Sequence, residues 1–403
     1  MKQLQPKLRF YQYTDKWISN KISDRMDVFR GASPRPKGSP KYYGGSIPRL
    51  MIEDATRDGK YTIPKIDTLT QEGARKSRFL PKGSPVLSCS GTKVGIPTIL
   101  SVDACIHDGW LGFKNFSDVD SEFLYYNFLK LYDKIQSSAT TGGVFNNLTT
   151  GIIKDYIIFF PTLPEQTKIA SFLSTVDEKI TGLKKQLSLL ESYKKGVMQK
   201  IFSQELRFKD ENGNEFPDWE EKKIKEIMDE RNSQAPKSVN YPLMAFIAKK
   251  GVTPKGDRYN REFLVNDQEN KKYKKTEFGD FIYSSNNLET GSIGFNKYGS
   301  ATISPVYSIF KINELADFRF LSDYLSRKEF IYKMTTYRQG VVYGQWRIHE
   351  SDFLQIKEYM PSVSEQKKIA SFLSAIDEKI DKNEDQIRKM ELWKKGLLQQ
   401  MFV

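Results

Sequence analysis

One block of this chain occurs twice, and that constrains the fold more than any other feature. Residues 165–180 read EQTKIASFLSTVDEKI and residues 365–380 read EQKKIASFLSAIDEKI, identical at 13 of 16 positions at a shift of 200. The match continues through Glu191, Lys194, Lys195, Gly196, Gln199 and Phe202 onto Glu391, Lys394, Lys395, Gly396, Gln399 and Phe402. Upstream, Pro161 falls on Pro361, Leu8-Arg9-Phe10 resembles Leu206-Arg207-Phe208, and Trp17, Ile22 and Met26 have the spacing of Trp219, Ile224 and Met228. A unit of about 200 residues is therefore used twice. The stretches between, roughly 27–150 and 229–350, show no obvious similarity to each other. Shared ends with dissimilar middles predict a common frame that holds two different readers.

The repeated blocks have a helical period. Ile169, Leu173, Val176, Ile180, Leu183, Leu187 and Leu190 are spaced by alternating steps of 4 and 3, the 3.5-residue period of a coiled-coil seam. The second copy places Ile369, Leu373, Ile376, Ile380, Asn383 and Ile387 on the same seam, with Phe172 and Phe372 beside it. Thr162-Leu163-Pro164-Glu165 and Ser362-Val363-Ser364-Glu365 read as capping boxes. Each helix is expected to run about 38 residues, or roughly 57 Å at 1.5 Å per residue. The simplest partner for each is the other copy, packed antiparallel. Asn383, opposite in kind to Leu183, is a polar seam residue of the type that fixes register. Gly196 and Gly396 weaken the helices at one shared position and are compatible with a bend or a close helix approach.

The middles read as α+β. Strands are expected near 85–89, 98–102, 279–284 and 301–310, and helices over 121–135 and 318–333. Between them lie Gly-rich loops with polar and basic residues, suited to groove reading. Arg and Lys can contact guanine or phosphate, and Asn and Gln pair bidentately with adenine. In the first middle the candidates are Arg30, Ser33, Arg35, Lys37, Tyr42, Tyr43, Thr92, Lys93, Asn146 and Asn147. In the second they are Lys250, Lys255, Arg258, Asn286, Asn287, Thr290, Gln339, Tyr343, Gln345 and Arg347.

Charge gives direction to these loops. The chain carries a net +13, of which +11 falls in residues 1–202 and +2 in 203–403. A polyanionic partner follows, with nucleic acid the first candidate. Two cysteines cannot build a disulfide framework, so a reducing cytoplasm is expected. The start, MKQLQPKLRF, lacks a signal peptide's apolar run, and no stretch approaches a membrane span. A catalytic set is not visible. His107 and His349 do not correspond between the halves, and Cys89 and Cys105 lack zinc spacing. Gly91-Thr92-Lys93 lacks the upstream glycine of a phosphate-binding loop. The acids of Pro217-Asp218 and Glu221-Lys222-Lys223 stand too close for a nuclease set. Three functions stay open on these residues: a non-catalytic DNA-recognition subunit, a free-standing DNA enzyme, and a coiled-coil adaptor with incidental charge. The missing catalytic set speaks against the second.

The double (S/T)-x-x-E-Q-x-K-I-A-x-F-L-S-x-x-D-E-K-I block, each copy closing a variable region, resembles the specificity subunit of type I restriction–modification systems. The resemblance covers nearly the whole chain. It implies an α+β fold with two α/β target recognition domains separated by two long helices. Those helices would form an antiparallel coiled coil with a pseudo-two-fold internal repeat. The expected segments are 1–161 and 203–361 for the recognition domains and 162–202 and 362–403 for the helices. The implied function is to read a bipartite, asymmetric target on double-stranded DNA while the helices dock two modification (methyltransferase) subunits. Restriction subunits join in the full complex, and helix length sets the unread gap. The chain itself would be non-catalytic, with no metal and no cofactor of its own. S-adenosylmethionine, ATP and Mg are implied on the partner subunits. The resemblance transfers no base contacts, because these domains vary.

Overall fold

The computed structural model describes residues 5–92, 94–142, 145–248, 250–255, 271–342 and 345–403. The chain divides into two compact units, residues 1–185 with 384–403, and residues 186–383. Both long helices are divided between them. In chain order the principal helices are α1 (Ser121–Ser138), α2 (Leu163–Phe202), α3 (Phe318–Tyr324), α4 (Lys328–Thr336) and α5 (Val363–Met401). The compact units thus cut across the four expected segments: each holds a mixed domain, the first half of its own long helix and the second half of the other.

The two middles, dissimilar in sequence, build the same central sheet. In the first unit the order is Asp27–Arg30, Trp110–Lys114, Pro85–Ser88, Pro97–Leu100, with Tyr61–Thr62 added in parallel at the edge. In the second it is Met228–Glu230, Ser308–Ile312, Phe281–Tyr283, Ile293–Phe295. The sheets agree because the central strands of each are short, continuously buried runs, a requirement that many sequences satisfy. The units differ in what is attached. The first carries a four-stranded sheet of Asp67–Leu69, Tyr43–Leu50, Ala104–Ile106 and Arg78–Leu80; the second carries a three-stranded one of Gln234–Ala235, Tyr273–Thr276 and Ala301–Ile303.

Several local expectations shift. The run 301–310 is two strands, Ala301–Ile303 and Ser308–Ile312, separated by a turn. The helical run 318–333 breaks after Leu325, where the Ser326 hydroxyl donates to the Ser322 carbonyl at 2.6 Å and Arg327 adopts extended backbone. Such side-chain bonds compete with helix continuation. Gly196 and Gly396 sit inside unbroken helices, and a Cβ added at either would meet nothing within 4 Å. There is no close helix approach at either position, so those glycines are not packing devices.

Within each unit the helix segments run antiparallel. In the first, Lys394 pairs with Asp177 at 2.5 Å and Lys184 with Glu391 at 2.6 Å. In the second, Lys194 pairs with Asp377 at 2.7 Å. The two lysine–aspartate pairs are the same pair displaced by 200 residues in each partner. They explain why Lys194 and Lys394 interrupt the apolar seam. The seam residues Ile169, Leu173, Val176 and Ile180 are buried in the first unit's core with Leu397 and Met401 of α5 and Phe402 just after it, but also with Phe123, Tyr126 and Phe128 of α1. Ile369, Leu373 and Ile376 are buried in the second core with Ile201, Phe320 and Tyr324. The first half of each helix is therefore docked on its own domain as well as on the second half of the other helix. Leu183, Asn383 and Ile387 are buried, whereas Leu187 and Leu190 are half-buried. The amide oxygen of Asn383 is buried without a partner, the cost that accompanies a polar seam residue. Among the described residues no helix is long and apolar enough to cross a membrane.

Candidate nucleic-acid interface

The frame that carries the loops is made by the repeated residues touching one another. Glu165 is fully buried and takes the Arg9 guanidinium in a bidentate pair at 2.7 and 2.8 Å. Glu365 takes Arg207 at 3.2 and 2.9 Å. These glutamates were expected to fold back as the second half of capping boxes; the arginines draw them away, because a buried carboxylate needs a full positive partner. The other half of the box survives in the second copy, where the Glu365 N–H donates to Ser362 Oγ at 3.3 Å. The neighbouring glutamine is a three-point clamp. Gln166 Oε1 accepts from the Asp120 N–H at 3.0 Å, while Nε2 donates to the Asp118 and Pro161 carbonyls at 2.9 and 3.0 Å. Gln366 makes the same bonds to the Asp317 N–H at 2.9 Å and to the Leu315 and Pro361 carbonyls at 3.4 and 2.9 Å. Asp120 and Asp317 are in turn the N-caps of α1 and α3. Phe10 packs edge-on against Phe172 at 5.8 Å, and Phe208 against Phe372 at 5.3 Å. Trp17 meets Phe123 and Trp219 meets Phe320.

On this frame the first unit brings three of the predicted loops together. The strand Phe145–Asn147 pairs with Ser90–Gly91, setting Asn146 opposite Gly91 and Asn147 opposite Ser90. Asn146 Nδ2 also donates to the Thr92 carbonyl at 3.2 Å. The loop after Arg30 joins through Asp108, a residue that sequence reasoning missed. The Asp108 carbonyl accepts from Arg30 Nε at 2.6 Å, and its Oδ1 from Ser33 Oγ at 2.6 Å. The next carbonyl, Gly109, accepts from the Cys89 N–H at 2.7 Å. Nothing in the sequence near Asp108 marks it, because its partners lie 19 to 78 residues away. Arg30, Arg35, Lys37 and Thr92 are exposed, and Ser33 and Tyr43 are half-buried. Tyr42 does not belong with them: it is buried, its hydroxyl accepts from Lys76 Nζ at 2.8 Å, and Lys76 and Lys41 lie over its ring. Lys93 lies outside the described residues. Burial pushes the Cys89 thiol up to about 11, so this cysteine stays a protonated packing residue.

The second unit repeats the scheme with other side chains. Arg338, also missed, ties the loop 284–294 to the strand Gln339–Val342: its guanidinium donates to the Ser285 carbonyl at 2.8 and 3.1 Å and pairs with Glu289 at 2.7 Å. It lies within the basic run that drew attention to Gln339 and Arg347, which was the available signal. Ser285 Oγ accepts from the Ile348 N–H at 3.0 Å, closing the pair of loops. Lys250 caps a separate hairpin of Ala245–Ile247 and Gly251–Thr253. There Gly251 has φ +77°, and a Cβ would sit 2.6 Å from the Phe295 carbonyl, so only glycine allows the hairpin to approach the sheet. Lys250, Lys255, Asn286, Asn287, Thr290 and Arg347 are exposed. Gln339 is exposed but committed, its Nε2 donating to Asp352 at 2.7 Å. Thr290 and Asn287 shape their own turn, the threonine hydroxyl donating to the Asn287 carbonyl at 3.0 Å. Arg258, Tyr343 and the side chain of Gln345 lie outside the described residues. Among the described residues no cluster of three or more His, Cys, Asp or Glu could hold a metal.

The helix crossing differs between the units in its chemistry. In the first, Lys60 Nζ reaches Glu122 at 3.0 Å, Tyr126 OH at 3.0 Å and Ser174 Oγ at 2.6 Å, and Tyr126 donates to Asp177 at 2.7 Å. Burial pulls Lys60 below the usual lysine range against the pull of Glu122. In the second, Asp323 stands near Lys194 at 3.1 Å, and burial holds its carboxyl above the usual range despite that lysine.

A mixed α/β module used twice, each copy carried on segments of the two long helices and bearing loops of unlike composition at equivalent places, is the class that the fold defines. The chain belongs to the family of the type I restriction modification DNA specificity domain, whose model matches residues 15–192 and 217–392. The specificity subunit of type I restriction enzyme MjaIX of Methanocaldococcus jannaschii is 29% identical over 238 residues, 56% of this chain and 55% of that protein. A putative MjaX specificity subunit from the same organism is 30% identical over 255 residues, 59% and 57% of the two chains. These matches thus span a little over half the length of those relatives. Two solved structures share the fold at low identity. The S subunit of a type I restriction-modification system from M. genitalium has TM-score 0.60 at 16% identity and 99% coverage of both chains. A chain from work on complex assembly and conformational transition of the type I R-M system has TM-score 0.56 at 13% identity, covering 96% of this chain and 98% of that one.

Proposed function

We propose that this chain is the sequence-reading subunit of a type I restriction–modification complex. It binds double-stranded DNA at a bipartite, asymmetric target, one half read by each unit, and carries out no chemistry itself. The observation that carries this reading is the equivalence of the loops: 88–95 with 140–147, and 284–294 with 337–347, are joined on the same frame yet furnished differently. Thr92 and Asn146 stand in one; Asn286, Asn287 and Arg347 stand in the other. Unlike readers on like frames give unlike half-sites. In this reading the exposed faces of α2 and α5 dock two methyltransferase subunits, and restriction subunits join through them. S-adenosylmethionine, ATP and Mg belong to those partners, which work in the cytoplasm.

The test is to map methylated adenines in a host carrying this subunit with its methyltransferase. One bipartite motif is expected. Exchanging residues 229–350 for another recognition domain should alter one half of it and leave the other. Alteration of both halves refutes the modular reading. Methylation or cleavage by the isolated chain refutes the non-catalytic one. Absence of any salt-sensitive DNA affinity, with or without partners, favours a protein adaptor instead.

A further inference from the structure

We propose that a cleft in the first unit, between the loop 33–38 and the turn at 107–108, grips a phosphodiester of the DNA backbone; this rests on the DNA-recognition reading above. The cleft has a volume of about 450 Å³ and is lined by Ser33, Arg35, Lys37, Tyr43, Arg49 and His107, with Asp67 and Asp108 at its walls. Its polar groups are not balanced. The carboxylates are engaged: Asp67 pairs with Arg49, and Asp108 accepts from Ser33 at 2.6 Å. The Tyr43 hydroxyl is spent on the Pro34 carbonyl at 2.8 Å. The groups left over are donors. Arg35 and Lys37 are exposed at the rim, and among the described residues neither makes a hydrogen bond or ion pair. Arg49 is 3% exposed and its Nε has no partner. His107 accepts the Gly109 N–H on Nδ1 at 2.8 Å, which leaves its proton on Nε2, also without a partner.

A set of surplus donors selects its ligand by elimination. A base edge presents donors and acceptors together and would find few free acceptors here. A phosphate presents acceptors only and carries charge complementary to Arg35 and Lys37, which form no ion pair although Arg35 feels the Asp108 carboxylate. Arg49 is fixed by Asp67, by Ser33 at 2.9 Å and by the Tyr43 ring at 5.3 Å, so the floor of the cleft is rigid and its charge balanced, and the excess positive charge is that of Arg35 and Lys37 at the rim. The cleft and the base-facing loop share one anchor, since Asp108 holds Ser33 by its side chain and Arg30 by its carbonyl. A phosphate held here would set the register at which Thr92 and Asn146 meet the groove. It would also give the first half of the chain, which holds +11 of the net +13, a specific use for part of its charge.

The experiment measures duplex binding by the full chain over a series of salt concentrations, for wild type and for R35Q/K37Q. Both positions are exposed, so folding is not at stake. Each released phosphate contact changes the slope of log K against log salt by about 0.9. The double variant, which releases this one phosphate, should therefore lose about 0.9 from the slope, equally for target and non-target duplexes. An unchanged slope, or a loss confined to one sequence, overturns the grip while leaving the DNA reading intact. No salt-sensitive binding by wild type, alone or with its partners, overturns both. A third arm replaces chloride by inorganic phosphate at constant ionic strength. Inorganic phosphate should compete for the cleft and weaken duplex binding more in wild type than in the variant. Equal responses of the two proteins would overturn the cleft as a phosphate grip.

Discussion

Replacing Gln166 by Met tests whether the repeated glutamine is the joint between helix and reader. The side chain is fully buried and its length is conserved by Met, so no cavity opens. What is lost is three hydrogen bonds of 3.0 Å or less, leaving one N–H and two carbonyls without their partner. An orphaned buried group costs about 1–3 kcal/mol. Asp118 and Asp120 lie near the surface, so water recovers part of this for two of the three. The sum is about 3–5 kcal/mol for Q166M. For Q366M the bond to Leu315 is 3.4 Å and already weak, so about 2–4 kcal/mol is expected. Because the units are compact bodies of their own, a single unfolding midpoint would blur the effect. Hydrogen exchange localises it: Q166M should deprotect the start of α1 and leave α3 unchanged, and Q366M the reverse. Losses below about 1 kcal/mol in both variants, or deprotection in the wrong unit, would refute the clamp.

Further outcomes follow from the same contacts. K194M should leave Asp323 and Asp377 without a counter-charge and destabilise the second unit by about 2–3 kcal/mol at neutral pH, a discounted value for a partly screened pair. Because burial holds the Asp323 carboxyl above its usual range, the part of that loss owed to Asp323 should shrink as it protonates on acidification, and urea unfolding at pH 5 and 7 checks it. K394M should cost less, because Asp177 keeps the Tyr126 hydroxyl at 2.7 Å. Burial, with Arg49 beside it, holds His107 below its ordinary value. The unfolded chain therefore binds this proton first as pH falls. The stability His107 contributes is present above about 6.5 and lost below it; thermal unfolding of H107Q should lack that part of the acid dependence. G31A places a Cβ 2.1 Å from the His107 carbonyl, so the backbone must shift. Its cost should be a few kcal/mol, and its salt slope should resemble that of R35Q/K37Q if the loop 33–38 moves with it.

The frame was legible because repetition is a property of the chain alone. Several residues matched between the halves touch other matched residues: Arg9 with Glu165, Phe10 with Phe172, Arg207 with Glu365, Phe208 with Phe372. A duplicated contact preserves both partners, so it shows as a duplicated motif. The helical period showed the apolar face, but not that the first half of each seam also lies against its own domain; a period marks which side is buried and is silent on what buries it.

The interface was legible only as loop composition. Strand pairing across long separations decided which loops meet, as where Asn146 faces Gly91, and turned Tyr42 inward under two lysines. Asp108 and Arg338, which join the loops, act through groups whose partners are brought near only by the folded sheet. The common sheet order of the two middles was likewise hidden, since a short, continuously buried strand can be written in many side chains. The amino-acid sequence thus determined the repeated frame, the period of its helices and the excess of charge in the first half. Only the tertiary structure decided which donors remain unpartnered at one cleft, because that depends on every neighbour the fold supplies.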